Sequence, residues 1–75
     1  MIMSLTKEHF LKTIGKKIKT LREAKGLSQY ALSDESGISR SQIVRLENGD
    51  LNCTLATLLV LAETLGVEPK DLLDV

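Results

Sequence analysis

Four of the five glycines divide this sequence into short segments, and that division limits the folds open to the chain. Gly26, Gly37, Gly49 and Gly66 each close a stretch whose residues have a helical pattern. Glycine after such a stretch is a typical helix stop. Because 75 residues are enough for one domain only, the pattern predicts a single small domain, residues 1–75, made of five short helices.

Residues that favour helix starts agree with this division. Ser28, Ser39 and Thr54 precede three of the stretches, where Ser and Thr favour the N-cap position, and Pro69 suits the first turn of a last helix. The fourth helix is apolar on most sides, which predicts a central position. The predicted fold class is all-α, a compact five-helix bundle whose core lies between about residues 11 and 73. The predicted helices are Lys7–Lys25, Gln29–Ser36, Arg40 to about Glu47, Leu55–Leu65 and a short helix within Glu68–Leu73.

Composition argues against several classes of function. No run approaches the roughly 20 apolar residues that cross a bilayer, and the first ten residues lack a basic leader and an apolar signal core. A cytoplasmic protein without a membrane partner is therefore expected. His9 and Cys53 are the only soft metal ligands, so no metal, disulfide or cofactor is predicted. Because they lie on separate predicted elements with no third group at a suitable spacing, an enzyme is not expected.

Charge is unevenly distributed, although the formal net charge is zero. Residues 1–27 carry a net charge of +5, residues 28–49 carry −1 and residues 50–75 carry −4. The basic N-terminal part can present a positive face to phosphates, although ordinary solvated helix surfaces produce such asymmetry about as often. For Lys12 and Lys16 a solvated face is the favoured interpretation, and contact with a DNA backbone is the alternative.

The segment QYALSDESGISRSQIVRLEN, residues 29–48, places a tight turn at Gly37 between two short helices. Two helices joined in this way cross at a steep angle, as in a DNA-reading helix pair. If Ile43 and Leu46 face inward, the rotation of about 100° per residue turns the opposite side of the third helix outward. B-DNA's major groove admits one such helix. The outward side holds Ser41, Val44, Arg45 and Asn48, and Arg40 lies at its flank.

The chain also holds Ser28-Gln29 at the start of the second helix, Leu32, Gly37 and Ile38 around the turn, Ile43 and Leu46 on the inward side, the ending Leu46-Glu47-Asn48-Gly49 and the fourth-helix segment LATLLVLAETLGV. On these features the sequence from about residue 14 to 73 resembles the Cro and phage-repressor type of helix-turn-helix domain. Such XRE-like regulators have a lambda-repressor-like fold, so the resemblance implies a sequence-specific DNA-binding transcriptional regulator of the repressor or controller type. The chain departs from the family pattern where Ser33 and Ser36 replace Ala or a larger apolar residue, and where Cys53 replaces a frequent Pro.

The side chains of the third helix suit base recognition. Arg40 and Arg45 can each bind guanine O6 and N7 with a planar pair of donors. Ser41 can bind any base and Val44 can contact a thymine methyl group. A merely solvated helix face is the alternative. The residues predicted to contact bases are thus Arg40, Ser41, Val44 and Arg45.

Three polar residues are predicted to contact phosphates: Gln29, Gln42 and Asn48. Gln29 opens a helix, where free backbone N–H groups and the helix dipole favour an anion, and the resemblance implies the same role. For Asn48, at the end of the reading helix, a plain C-cap is the alternative. Arg22 and Glu47 each lie near the edge of an apolar stripe, and the family resemblance matches them to a salt bridge. A structural ion pair, rather than a catalytic one, is predicted.

One reading helix covers few base pairs, so a homodimer on a palindromic operator in double-stranded DNA is expected, with half-sites about 34 Å apart. Leu72, Leu73 and Val75 place apolar side chains at the C-terminus, so the predicted dimer contact is the fifth helix with these residues and the end of the fourth helix. Packing of the leucines inside one chain is the alternative. A second hypothesis is an antitoxin-like module that binds a protein partner through the acidic C-terminal third and also binds its own operator.

Overall fold

The computed structural model describes residues 6–50 and 52–74, and within them the chain forms five α-helices and no strand. The all-α prediction is confirmed. The first helix ends one residue earlier than predicted, and the last occupies four residues of the predicted stretch. The helices are α1 (Lys7–Ala24), α2 (Gln29–Ser36), α3 (Arg40–Glu47), α4 (Leu55–Leu65) and α5 (Pro69–Leu72).

Local hydrogen bonds explain where the helices begin. The side-chain oxygens of Ser28, Ser39 and Thr54 accept hydrogen bonds from backbone N–H groups three residues ahead, at 3.0, 3.2 and 3.1 Å. Each bond satisfies a donor that has no partner inside its own helix. The three predicted N-caps are therefore confirmed, and these caps set the start of α2, α3 and α4.

The core is aliphatic and receives at least one large, fully buried side chain from every helix. These five residues, from α1 to α5, are Ile18, Leu32, Ile43, Leu61 and Leu72, each at most 1% exposed. Burying a side chain of this size stabilises a fold by about 1.5–3 kcal/mol. The shared cluster holds α3 with its inner side against the rest of the bundle.

Helix α4 lies less centrally than its sequence predicts. Leu58, Leu61 and Leu65 are buried, but Leu55 is 79% exposed and Leu59 is 46% exposed. Helices α2 and α5 pack on α4, and among the described residues none covers Leu55 and Leu59 fully. The predicted central position holds for the inner side of α4, which supplies four of the ten core residues, but not for its other side, where an apolar strip faces outward.

The predicted dimer residues separate in the fold. Leu72 is fully buried, because the short α5 folds it back against α4 and α1. Its assignment to a dimer contact is therefore wrong, since a residue inside the core cannot contact a partner. Leu73 is 42% exposed and remains available, whereas Val75 lies outside the described residues.

Close approach between α1 and α3 depends on Gly15, which lies inside α1. A Cβ atom at this position would lie 2.7 Å from the carbonyl oxygen of Glu47 and closer still to that of Leu46. Real Cβ contacts are essentially never under 3.0 Å. The backbone of α1 therefore lies directly on the last turn of α3, and this contact sets the position of α3 in the bundle.

Candidate nucleic-acid interface

The four residues predicted to read bases lie together on the outer side of α3. Arg40, Ser41 and Arg45 are exposed and Val44 is half-buried, and the four side chains line one open depression. Ile43 and Leu46 on the other side of the helix are 1% and 5% exposed. Helix α3 thus presents two guanidinium groups, a hydroxyl and an apolar surface to anything that approaches from outside.

Behind this surface, Arg22 and Glu47 form an ion pair between the end of α1 and the end of α3. Arg22 Nε donates to Glu47 Oε2 at 2.7 Å, and Nη2 donates to Oε1 at 3.1 Å. Arg22 Nη1 donates to the carbonyl oxygen of Leu27 at 2.7 Å. Arg22 is 7% exposed and Glu47 is 8% exposed. The hydrogen bonds to Glu47 raise the pKa of Arg22 above its ordinary value, against the opposing effect of burial.

Gln29 takes part in the same network. Its Nε2 donates to Glu47 Oε1 at 3.0 Å, so the first residue of α2 is bound to the last residue of α3. The side chain is half-buried. The sequence indicated a phosphate contact for Gln29 but not this bond, which uses one of the two amide hydrogens.

The turn between α2 and α3 is held by the two serines that depart from the family pattern. Ser33 Oγ donates to the carbonyl oxygen of Ile38 at 2.6 Å, and the Ile38 N–H donates to Ser36 Oγ at 3.1 Å. Gly37 between them has φ of 79°, a left-handed conformation that glycine adopts without strain. The two hydroxyls therefore hold Ile38, the residue after Gly37 in the turn, against the end of α2.

The other predicted phosphate residues lie along α3. Asn48 is the C-cap of α3, its backbone N–H bonding to the Val44 carbonyl oxygen at 3.1 Å, and the residue is exposed. Gln42 is half-buried in the first turn. The structure therefore brings Asn48 next to Glu47, which Gln29 contacts, whereas Gln42 lies at the other end of the helix.

Among residues 6–50 and 52–74, no three His, Cys, Asp or Glu side chains are grouped as metal ligands. No helix among the described residues is long and apolar enough to cross a membrane. Cys53 is half-buried, and burial raises the pKa of its thiol, which disfavours the reactive thiolate.

Three residues that shape this site, Gly15, Ser33 and Ser36, have contacts that the sequence analysis does not predict. Gly15 interrupts a helical apolar stripe, and an isolated glycine in such a pattern is the available signal for a close approach. Ser33 and Ser36 carried no comparable signal, because their partner, Ile38, bonds through its backbone.

Comparison with known proteins agrees with this geometry. The family model described as helix-turn-helix, HTH_3, matches residues 18–72. The chain is 39% identical over 61 residues to an uncharacterized HTH-type transcriptional regulator, y4dJ, of Sinorhizobium fredii, covering 81% of this chain and 79% of the relative. It is 38% identical over 61 residues to the control protein C.BamHI of Bacillus amyloliquefaciens, covering 80% of this chain and 75% of that one.

A solved structure is similar over nearly its whole length. The restriction-modification controller protein C.AhdI from Aeromonas hydrophila superposes with a TM-score of 0.81 at 42% identity, covering 83% of this chain and 94% of that one. The fold and these similarities define a DNA-binding helix-turn-helix protein. The chain belongs to the HTH_3 helix-turn-helix family of transcriptional regulators and is not an enzyme.

Proposed function

We propose that this protein binds a specific operator by placing α3 in the major groove, where Arg40, Ser41, Val44 and Arg45 contact base edges. The observation that carries the proposal is that these four side chains share one outward depression of α3. The groove is about 12 Å wide and accepts a helix presented in this way. Gln29, Gln42 and Asn48 are assigned to backbone phosphates, which position a protein on the duplex without reading its sequence.

Replacing Arg45 by alanine tests the assignment of the reading helix. A bidentate contact to guanine contributes about 1–3 kcal/mol of discrimination, so affinity for the selected operator should fall about 10- to 100-fold. Binding to random duplex should change much less. Selection of bound duplexes from a random pool, followed by titration of the best sequence, gives both values. Lys70→Ala is the matched control, because it removes an exposed cation from α5 instead of α3.

Two results would contradict base recognition by α3. Equal losses of affinity for operator and random duplex with Arg45→Ala would show that Arg45 acts only as a positive charge. Selection that enriches no sequence at low salt would contradict sequence-specific binding altogether.

We further propose that the protein acts as a homodimer on a palindromic operator. Leu55 and Leu59 lie one turn apart on the outward side of α4, and Leu73 borders the same apolar depression as Leu55. We call these three residues the dimer surface. Three of the four exposed large apolar side chains in the described residues belong to it. Covering them with a second copy removes apolar area from water.

Charged residues in the dimer surface should separate the subunits. A variant with Leu55→Glu and Leu59→Glu should sediment as a monomer at concentrations where the native protein is a dimer, because like charges would be buried together. Its fold should persist, since both positions are exposed in a single chain. Tyr30→Glu is the control, because Tyr30 is 69% exposed but lies on α2. A native protein that sediments as a monomer at tens of micromolar, with or without operator, would contradict the dimer.

The similarity to C.BamHI and C.AhdI supports a narrower proposal. Both are named as controllers, the latter of a restriction-modification system, and each alignment covers at least three quarters of both chains. We propose that this protein is a regulator of the controller type. An operator found upstream of restriction or modification genes would support this role, and the antitoxin-like alternative stays a prediction.

A further inference from the structure

Three helix ends meet at one buried carboxylate. Glu47 ends α3 and accepts hydrogen bonds from Arg22 in the last turn of α1 and from Gln29, the first residue of α2. Both members of the ion pair are buried, while Gln29 is half-buried and reaches the surface. Gln29 therefore connects a rigid internal anchor to the face that carries the reading helix.

We propose that Glu47 is a positioning residue for DNA binding, which holds the Gln29 amide so that its second Nε2 hydrogen points at a backbone phosphate of the duplex. One amide hydrogen is engaged with Glu47 Oε1 at 3.0 Å, and the amide has one more. This inference rests on the proposed function, because it names how one of the assigned phosphate contacts is built. It goes beyond a merely structural role for the Arg22–Glu47 pair.

The chemistry of the network suits this task. A carboxylate is a stronger hydrogen-bond acceptor than a neutral group, so it restrains an amide well. A free glutamine side chain loses rotamer entropy when it is fixed by a ligand. In the folded protein the Gln29 side chain is already held by Glu47. It therefore loses less entropy when it binds a phosphate than a freely rotating glutamine would. Because Arg22 neutralises Glu47, the anchor adds little repulsion toward the phosphate.

The experiment uses the full chain and the operator obtained by selection. Single methylphosphonate substitutions remove the charge of one phosphate at a time, and dissociation constants are measured for each duplex. The native protein should show one phosphate per half-site whose substitution weakens binding about tenfold and whose effect disappears in Gln29→Ala. The paired variant Arg22→Met/Glu47→Met, checked for a native circular dichroism spectrum, should lose the effect at that same phosphate and retain the effects elsewhere.

Gln42→Ala is the matched control. In residues 6–50 and 52–74 no hydrogen bond joins the Gln42 side chain to Glu47. The effect of Gln42→Ala on the dissociation constant of each duplex should therefore be the same in the native protein and in the paired variant. A folded paired variant that keeps full sensitivity at the Gln29 phosphate would overturn the proposal, as would Gln29→Ala with unchanged sensitivity at every phosphate. Neither result would affect base recognition by α3, which operator selection and Arg45→Ala test independently, although unchanged sensitivity in Gln29→Ala would also remove the assignment of Gln29 to a phosphate.

A second measurement needs no variant. Side-chain amide hydrogen exchange followed by NMR in the free native protein should be slower for Gln29 than for Gln42, because only the former is bound to a buried carboxylate. Equal exchange rates for the two glutamines would overturn the proposal even if the paired variant failed to fold.

Discussion

Replacing Arg22 by methionine is expected to lower the free energy of unfolding by about 3–5 kcal/mol, because it leaves Glu47 as an uncompensated charge inside the protein. Glu47 is 8% exposed and would lose both hydrogen bonds that Arg22 donates. The free carbonyl of Leu27 would add to the loss. For a domain of 75 residues, with a total stability of about 4–11 kcal/mol, this change removes a large share.

Urea denaturation followed by circular dichroism measures this loss. The control is the paired variant Arg22→Met/Glu47→Met, which removes both charges and should recover most of the stability, since apolar replacement of a buried ion pair is often neutral or stabilising. A single variant that unfolds at the same urea concentration as the native protein would show that the pair is dispensable. A paired variant no more stable than Arg22→Met would show that the cost is not the stranded charge.

Gly15→Ala is the second substitution expected to have a large effect, a net loss of about 2 kcal/mol in the free energy of unfolding. A new Cβ would press on the carbonyl oxygens of Leu46 and Glu47, which are backbone atoms and cannot rotate away. Overpacking against backbone should therefore cost about 3 kcal/mol, the upper end of the usual range, which outweighs the gain of about 1 kcal/mol in helix propensity from alanine. Operator affinity should also fall, because the last turn of α3 must shift away from α1.

Thr20→Ala provides the control, since Thr20 is an exposed residue of the same helix and meets no such contact. Thermal unfolding and operator titration should both leave this variant close to the native protein. A Gly15→Ala protein that is as stable as the native one, or more stable, would show that α1 does not rest on the end of α3.

Sequence and structure agree where neighbouring residues decide the outcome. The starts of α2, α3 and α4 depend on hydrogen bonds between residues three apart, which any reader of the sequence can locate. The outward side of α3 follows from the helical rotation once Ile43 and Leu46 are taken as buried. These relations need no knowledge of how one helix lies on another, so the elements and the candidate reading face were predictable.

Disagreements arise where distant residues meet. The exposure of Leu55 and the burial of Leu72 depend on which side of α4 the neighbouring helices cover. The sequence does not distinguish the two cases, because leucine occurs both in cores and on surfaces. The Gln29–Glu47 bond joins residues 18 apart, and its length depends on the crossing of α2 and α3. No periodicity within one helix contains that information.

The sequence by itself determined the helical segments, the N-caps of α2, α3 and α4, the tight turn at Gly37 and the set of side chains that α3 turns outward, because all of these follow from local hydrogen bonding and from the helical repeat. Only the tertiary structure decided that Gln29 is bound to Glu47, that Gly15 lies against the end of α3 and that α4 keeps an apolar side uncovered. The physical reason is that packing depends on distances and angles between whole helices, which many combinations of side chains can satisfy.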